Sequence, residues 1–501
     1  MCTLISRVVS RLRAFRNARD GNIAMIYALT LIPIIAATGS AIDLSRGMVV
    51  KMRLGEALDS AALAVGGTLG LTQAQMTTKA QQFLTANYPG TDIGQISNLT
   101  VSSSGQVVTV SATATVQTAF MGLFGINYLT VNSMAEVTRD SKGLEVALVL
   151  DNTGSMAQSG KLAALKSAAT TLIDTVWAGQ TTPAYAKGSI VPFSFTVRVD
   201  TTTFVNNWWV DKTGLSSMAK VNFSNNRYAF QVWASMSSQS WGGCLEARPN
   251  GYEELDTPPS SGTPDTLWVP FFVPDEPDAV AYPGYSHTYL TDGINSTQDP
   301  RLKRYQKYAG QNNSGPNTGC NMLAVQPLTN NSTTLKNAIN SMIATGNTDV
   351  NLGVGWGWRT LSPTPPYTEG SPYGDPYWNK AMVVLTDGTN TEPTTNTFHQ
   401  SEYTAFNYLV RNNLLGAGVT HNTANAEAEL DRRTALVCEN AKAAGIRVYT
   451  ILLMENSQRA IDLMRNCATS PDLYFNSPSA STLQGVFNAI ATDLSNLRVS
   501  K

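Results

Sequence analysis

The hydrophobic and polar positions change period several times along the chain, and each change marks an element or a boundary. Residues Asn22 to Ile42, inside NIAMIYALTLIPIIAATGSAI, form an uncharged stretch with the length of about 20 residues that a bilayer span needs. Small and apolar residues then recur at helical spacing through SRGMVVKMRLGEALDSAALAVGGTL, so the helix is predicted to continue past the span up to Gly66-Gly67. A second helix is predicted around TQAQMTTKAQQFLTANY. The segments LTVSSSGQVVTVSATATVQTAF and YLTVNSMAEVTR alternate β-branched with small polar residues, which is the period of strands in a small sheet.

From Gly143 the period itself alternates. LEVALVLDN, KLAALKSAATTLIDTVW and AKGSIVPFSFTVRVD are followed later by TTLKNAINSMIA, NKAMVVLTDG, ELDRRTALVCENAKAAG, IRVYTILLM and STLQGVFNAIATDLSNL. Strands and helices in turn predict a doubly wound α/β domain with a mostly parallel sheet. Residues of about 200 to 330 interrupt it with a stretch rich in Trp, Tyr, Pro, Asn and Gly, whose aromatics and two cysteines argue an ordered insertion. Trp208, Trp209, Trp233 and Trp241 either form a carbohydrate or protein surface or pack as the insertion's own core, the latter being the expectation.

Charge changes the picture at the amino terminus. Arg7, Arg11, Arg13, Arg16 and Arg19 precede the apolar span, and the positive-inside rule then leaves residues 1–20 in the cytoplasm and exports the bulk. The apolar core exceeds that of a cleaved signal peptide and no A-x-A site closes it, so a retained anchor is expected. Over all 501 residues the formal net charge is -1 and 14% of residues are charged, which offers no general attraction for nucleic acid.

Of the five cysteines, Cys2 precedes the span and Cys244, Cys320, Cys438 and Cys467 follow it. An even, exported set predicts disulfides. Three pairings are open, and the local ones, Cys244 with Cys320 and Cys438 with Cys467, are expected. With three histidines and no C-x-x-C, a thiolate metal site is disfavoured.

The candidate chemistry lies in VALVLDNTGSMAQSG, residues 146–160, where a strand hands over to a helix at the carboxyl edge of the sheet. GSMAQSGK resembles a Walker A loop, but five residues separate the glycines where four are required, and Leu162 replaces the Mg²⁺-binding hydroxyl. Metal binding accounts for more residues. Asp151, Thr153 and Ser155 project from one turn, Asp387 follows a second strand, and Thr348 precedes an apolar helical stretch. Together they offer hard oxygen ligands for Mg²⁺, or for Mn²⁺ or Ca²⁺. The alternative is a surface turn in which Ser and Thr cap a helix.

This constellation, D-x-T-G-S with a downstream Thr and a strand-ending Asp, resembles the metal-ion-dependent adhesion site of von Willebrand factor A domains over about residues 143–501, insertion excepted. Thr153 stands where that pattern has Ser. The resemblance implies that Asp387 reaches the ion through water, so that the ion stays electropositive and recruits an Asp or Glu from a partner. RDGNIAMIYALTLIPIIAATGSAIDLSRG with LGEALDSAALAVGG, and WGWRTLSP, CENAKAAGIRVYTI and FNAIATDLSNLRVSK, resemble the TadG-like proteins of Flp (Tad) pilus assembly. Processed pseudopilins carry Glu where Ile26 stands, so a permanent anchor is expected.

The expected organisation is therefore a cytoplasmic tail (1–20), a transmembrane anchor (21–44), a pilin-like α+β module (45–140) and a von Willebrand factor A-like domain (143–501) with its insertion at about 200–330. The expected protein is non-enzymatic and sits single-pass in a bacterial inner membrane, with its bulk in the periplasm. Its expected partner is an acidic protein, a pilus-assembly component, held through the metal. Two alternatives remain at this stage. DNTGS resembles the DKTGT of P-type ATPases and haloacid dehalogenase-like phosphoryl-transfer enzymes, and a structural envelope protein would leave the metal site unused.

Overall fold

The computed structural model describes residues 21–499 apart from 69–70, 89–93, 105–106, 139–141, 205–207, 279–286, 295–302 and 396–398. The arginine-rich stretch 1–20 and Cys2 lie outside the described residues. The chain divides into two compact units, Met1–Asp140 and Ser141–Lys501.

The first unit is built on helix α1 (Gly21–Gly66), 46 residues long. Its amino-terminal half is the one described helix apolar and long enough to cross a membrane, with 6% of its most apolar window buried. Its carboxyl-terminal half changes character, burying Val50, Leu54, Ala57, Leu58, Ala61, Ala62 and Val65. That is the three-and-four spacing of one helix face. Helix α2 (Gln73–Asn87) starts at a capping box between Thr72 and Gln75 and buries Met76, Ala80 and Leu84. Both helices share a core with the antiparallel sheet of β1 (Gln95–Ser104), β2 (Val107–Gln117) and β3 (Tyr128–Thr138). Asp43 of α1, itself buried, accepts the amides of Ala119, Phe120 and Met121 at 2.8–2.9 Å, which ties the β2–β3 loop to the helix.

The second unit is a three-layer α/β fold. Its central strands are β4 (Gly143–Asp151), β5 (Ala186–Phe193), β6 (Gln326–Thr329), β7 (Trp378–Thr386), β8 (Arg447–Leu453) and β9 (Tyr474–Ser477). They lie in the order β9-β8-β7-β4-β5-β6, parallel throughout except for β6 against β5. This is the doubly wound, mostly parallel sheet expected from the alternation of strands and helices.

Alternate residues of β4 feed different layers, as the twofold strand period requires. Val146, Leu148 and Leu150 join a core with helices α3 (Lys161–Val176), α4 (Ser332–Ser341) and α8 (Ala480–Val499). Ala147 and Val149 face the other layer, which contains α5 (Val350–Leu361), α6 (Thr423–Ala443) and α7 (Gln458–Cys467). Helix α5 is buried along its whole length, and its glycines explain how it fits. A Cβ at Gly353 would lie 2.6 Å from the Phe193 ring, and one at Gly357 would collide with Val149.

The stretch 200–330 belongs to this second layer. Trp209, Trp233, Trp241, Trp268, Phe272 and Tyr308 are buried in the same core cluster as Val149 and Trp356. Trp208, by contrast, is 57% exposed, so of the four tryptophans singled out in the sequence only one presents a surface. A disulfide joins Cys244 to Cys320, and another joins Cys438 of α6 to Cys467 at the end of α7.

Candidate metal centre

The register of the three central strands creates the site. Asp151 pairs with Phe193 on β5, and Leu150 pairs with Leu385 on β7. The last residue of β4 therefore stands beside Thr386 and Asp387 at one carboxyl edge, the crevice at which open α/β sheets bind ligands.

After Asp151 the chain turns on itself. Asp151 Oδ1 accepts the Thr153 amide at 2.7 Å, and a single 3₁₀ turn follows over Gly154–Ala157 with Met156 as its buried anchor. The Thr153 side chain makes no capping bond to that turn, and α3 starts instead after Gly160 in a left-handed conformation. Helix capping thus does not account for the hydroxyls. A second segment is laced to the turn. Asn152 Nδ2 donates to the Ile343 carbonyl at 2.9 Å, the Thr345 amide to the Asn152 carbonyl at 2.6 Å, and the Gly154 amide to the Gly346 carbonyl at 2.9 Å. That lacing carries Thr348 to the same edge.

Four of the five expected residues are connected in one chain of polar contacts. Thr153 Oγ1 and Ser155 Oγ lie 3.0 Å apart, and Ser155 Oγ donates to Asp387 Oδ1 at 2.6 Å. Asp151 Oδ2 accepts from Thr386 Oγ1 at 2.7 Å. Thr348 is held by a reciprocal pair with Thr391, its amide donating to the Thr391 hydroxyl at 3.0 Å and its carbonyl accepting the Thr391 amide at 2.9 Å. Its own hydroxyl lies 4.0 Å from where a Cβ on Gly388 would be, next to Asp387. Asp151 and Thr153 are buried while Ser155 is half-buried and Gly154 exposed, so the turn is recessed at its strand end, unlike the surface turn of the alternative reading. The strand–turn geometry draws it beneath the 343–348 segment.

Lys161 completes the site and was not anticipated from the sequence. Its Nζ lies 2.7 Å from Asp387 Oδ2, with the lysine side chain 12% exposed and the carboxylate fully buried. The lysine that made GSMAQSGK resemble a phosphate loop is thus engaged by a carboxylate. Its signal in the sequence was its place at the first residue of the helix after the turn. Thr386 was also missed, since an ordinary strand threonine announces nothing until its register is known.

The electrostatics follow from burial. Desolvation pushes the Asp151 carboxyl up to about 6, the Asp387 charge adds to the rise, and bonds from Thr153 and Thr386 oppose it. Nothing in the contact set neutralises Asp151, whereas Lys161 neutralises Asp387. Among the described residues no three His, Cys, Asp or Glu side chains converge, so a cation here would depend on hydroxyls beside the carboxylates. The carboxylate and hydroxyl oxygens are of the hard kind that a dication takes. Neighbouring oxygens of an octahedron with bonds of about 2.1 Å are about 3.0 Å apart, which is the Thr153–Ser155 separation.

Residues 21–75 match the family model described as putative Flp pilus-assembly TadE/G-like. No curated protein matches the sequence. Among solved structures, the chain is similar to the pilus adhesin SpaC from Lactobacillus rhamnosus GG at 11% identity and a TM-score of 0.33, covering 81% of this chain and 35% of SpaC. The chain therefore spans about a third of that adhesin. It is similar also to the vWF domain of the type V pili tip protein Mfa5 from Porphyromonas gingivalis, at 9% identity and a TM-score of 0.36, covering 72% of this chain and 97% of that domain. A third likeness is to proximal thread matrix protein 1 from the mussel byssus, with a zinc-occupied MIDAS motif, at 10% identity and a TM-score of 0.29, covering 71% of this chain and 46% of that one. The residues that match this family model thus precede the α/β unit in the sequence.

Proposed function

We propose that the protein is a membrane-anchored, exported factor of pilus assembly or adhesion that captures an acidic protein partner through a bound dication. The observation that carries this reading is the convergence of Asp151, Thr153, Ser155 and Asp387 at one sheet edge, with oxygens 2.6–3.0 Å apart along the chain Thr153–Ser155–Asp387. Asp151, Thr153, Ser155 and Thr348 would hold Mg²⁺, or Mn²⁺ or Ca²⁺, and Asp387 would act through water. The ion would supply a positive docking point for a carboxylate.

The Lys161–Asp387 ion pair explains why such an ion would remain attractive to an anion. With Asp387 balanced by an ammonium, Asp151 is the one uncompensated carboxylate of the set, and a dication beside it keeps a net positive charge. A partner's Asp or Glu completes that balance. In this reading residues 1–20 are cytoplasmic, the apolar half of α1 spans the inner membrane, the module of residues 45–140 is pilin-like, and the domain of residues 143–501 lies in the periplasm. The insertion at about 200–330 buttresses one face of the sheet.

Aspartyl phosphoryl transfer fits less well. Asn152 stands where the DKTGT motif has Lys, and TDGTN at residues 386–390 lacks the second acid that a GDGxND-type site supplies. Capture tests the proposal: the full chain in detergent should retain a carboxylate-bearing peptide on a resin in Mg²⁺, release it in chelator, and lose it in the Asp151→Ala variant. Retention that ignores both chelator and the substitution would contradict the proposal.

A further inference from the structure

A second group of acidic side chains lies just behind the candidate centre, and nothing in the Asp151 cluster uses it. The segment 348–350 runs beside 390–392. The Thr391 amide donates to the Thr348 carbonyl at 2.9 Å, the Thr348 amide to Thr391 Oγ1 at 3.0 Å, and the Val350 amide to Asn390 Oδ1 at 2.8 Å. This lacing brings Asp349 and Glu392 into each other's field. They are 2% and 1% exposed.

Their polar atoms are left over. Among the described residues neither oxygen of Asp349 has a hydrogen-bond partner, nor does Glu392 Oε1, nor either polar atom of the Asn351 side chain. Asp349 occupies the cap position of α5 without making a capping bond. The amides of Asn351 and Leu352 face it without closing one, and the Thr404 hydroxyl faces Glu392. The cation whose charge acts on Asp349 is committed elsewhere. Arg433, which faces Asp349, binds Glu254 at 3.2 Å, Glu429 at 2.9 Å and the carbonyls of Asn413 and Leu414 at 3.1 and 3.0 Å. Arg359 binds Glu253, whose charge also acts on Asp349. A buried carboxylate is costly unless it is paired, and here two share one site with no counter-charge of their own.

The geometry points to a second divalent-cation site in this chain, in which the carboxylates of Asp349 and Glu392 hold a calcium ion behind the loop that carries Thr348. Calcium suits the donors, since it takes carboxylate, amide-carbonyl and backbone oxygens in flexible geometry, and the side-chain oxygen of Asn351, two residues after Asp349, has no hydrogen-bond partner among the described residues. Such an ion would fix the segment 348–350 against 390–392. It is independent of whether Asp151 binds metal.

The test uses the full chain in detergent, stripped with chelator and titrated with CaCl₂, with bound calcium measured per chain. Asp349→Asn with Glu392→Gln keeps size and removes both charges. Wild type is expected to bind one equivalent more than this double variant, and calcium is expected to raise the midpoint of tryptophan-monitored unfolding in wild type and not in the double variant. The Asp151→Ala chain supplies the second arm and must keep one calcium equivalent and the midpoint shift. Equal calcium in wild type and double variant overturns the proposal, as does an Asp151→Ala chain that binds none, and the latter result stands even where the double variant does not fold.

Discussion

The raised Asp151 carboxyl makes a quantitative prediction for the metal-free protein. An acid whose pKa is higher in the folded than in the unfolded state holds more protons when folded, so stability is full at low pH and falls as pH rises through the interval between the two values. For Asp151 that interval runs from 3.8 to about 6. At about 1.4 kcal/mol per pKa unit it corresponds to about 3 kcal/mol, a substantial part of the 5–15 kcal/mol typical of a folded protein. Asp151→Asn keeps the shape and cannot ionise, so groups that titrate in both chains cancel in the difference. All nine tryptophans lie beyond Gly143, and their fluorescence during urea unfolding reports the α/β unit alone. In chelator, wild type should lose about 3 kcal/mol relative to Asp151→Asn between pH 3 and pH 7. With Mg²⁺ the loss should shrink, because the ion supplies the missing counter-charge. A difference that stays flat across this range in chelator would refute the reasoning, since it would mean that Asp151 is not desolvated.

Three further outcomes follow from other contacts. Lys161→Met removes the ammonium 2.7 Å from Asp387, which should raise Mg²⁺ affinity roughly tenfold by leaving a second uncompensated carboxylate while weakening capture of an acidic peptide; unchanged affinity in titration calorimetry would count against the charge balance. Gly353→Ala should cost about 1–3 kcal/mol through overlap with Phe193, although helix propensity alone predicts a gain of about 1 kcal/mol, and urea unfolding decides the sign. Breaking the bridge between Cys438 and Cys467, 29 residues apart, should cost about 3–4 kcal/mol in the chain-entropy model, and free thiols at both positions in non-reducing mass mapping would remove the basis for that figure.

The parts of this molecule legible in the sequence are those fixed by local period or local turn chemistry. β4, β7 and β8 are short apolar runs between turn signals, α1 is declared by its long apolar run, and the Asp151 turn announces itself by three oxygens in five residues. The hidden parts depend on register between distant strands. Thr386 meets Asp151 because β7 pairs with β4, and Asp349 comes within the field of Glu392 because two loops are laced together. The depth of the Asp151 turn was hidden for the same reason, since the 343–348 segment that covers it lies almost 200 residues downstream. The insertion's tryptophans looked ambiguous because an aromatic in an aperiodic stretch carries no sign of its facing, and only the packed face of the sheet assigns Trp209, Trp233 and Trp241 to the interior and Trp208 to the surface.

Ion stoichiometry decides whether Asp151 and its neighbours hold a dication. Titration calorimetry of the full chain in detergent with MgCl₂ and MnCl₂, with an acidic peptide present to complete the coordination sphere, should show wild type binding one equivalent more than Asp151→Ala. Identical stoichiometry and affinity in the two chains would contradict the account and leave the turn at residues 151–155 a structural feature of the sheet edge.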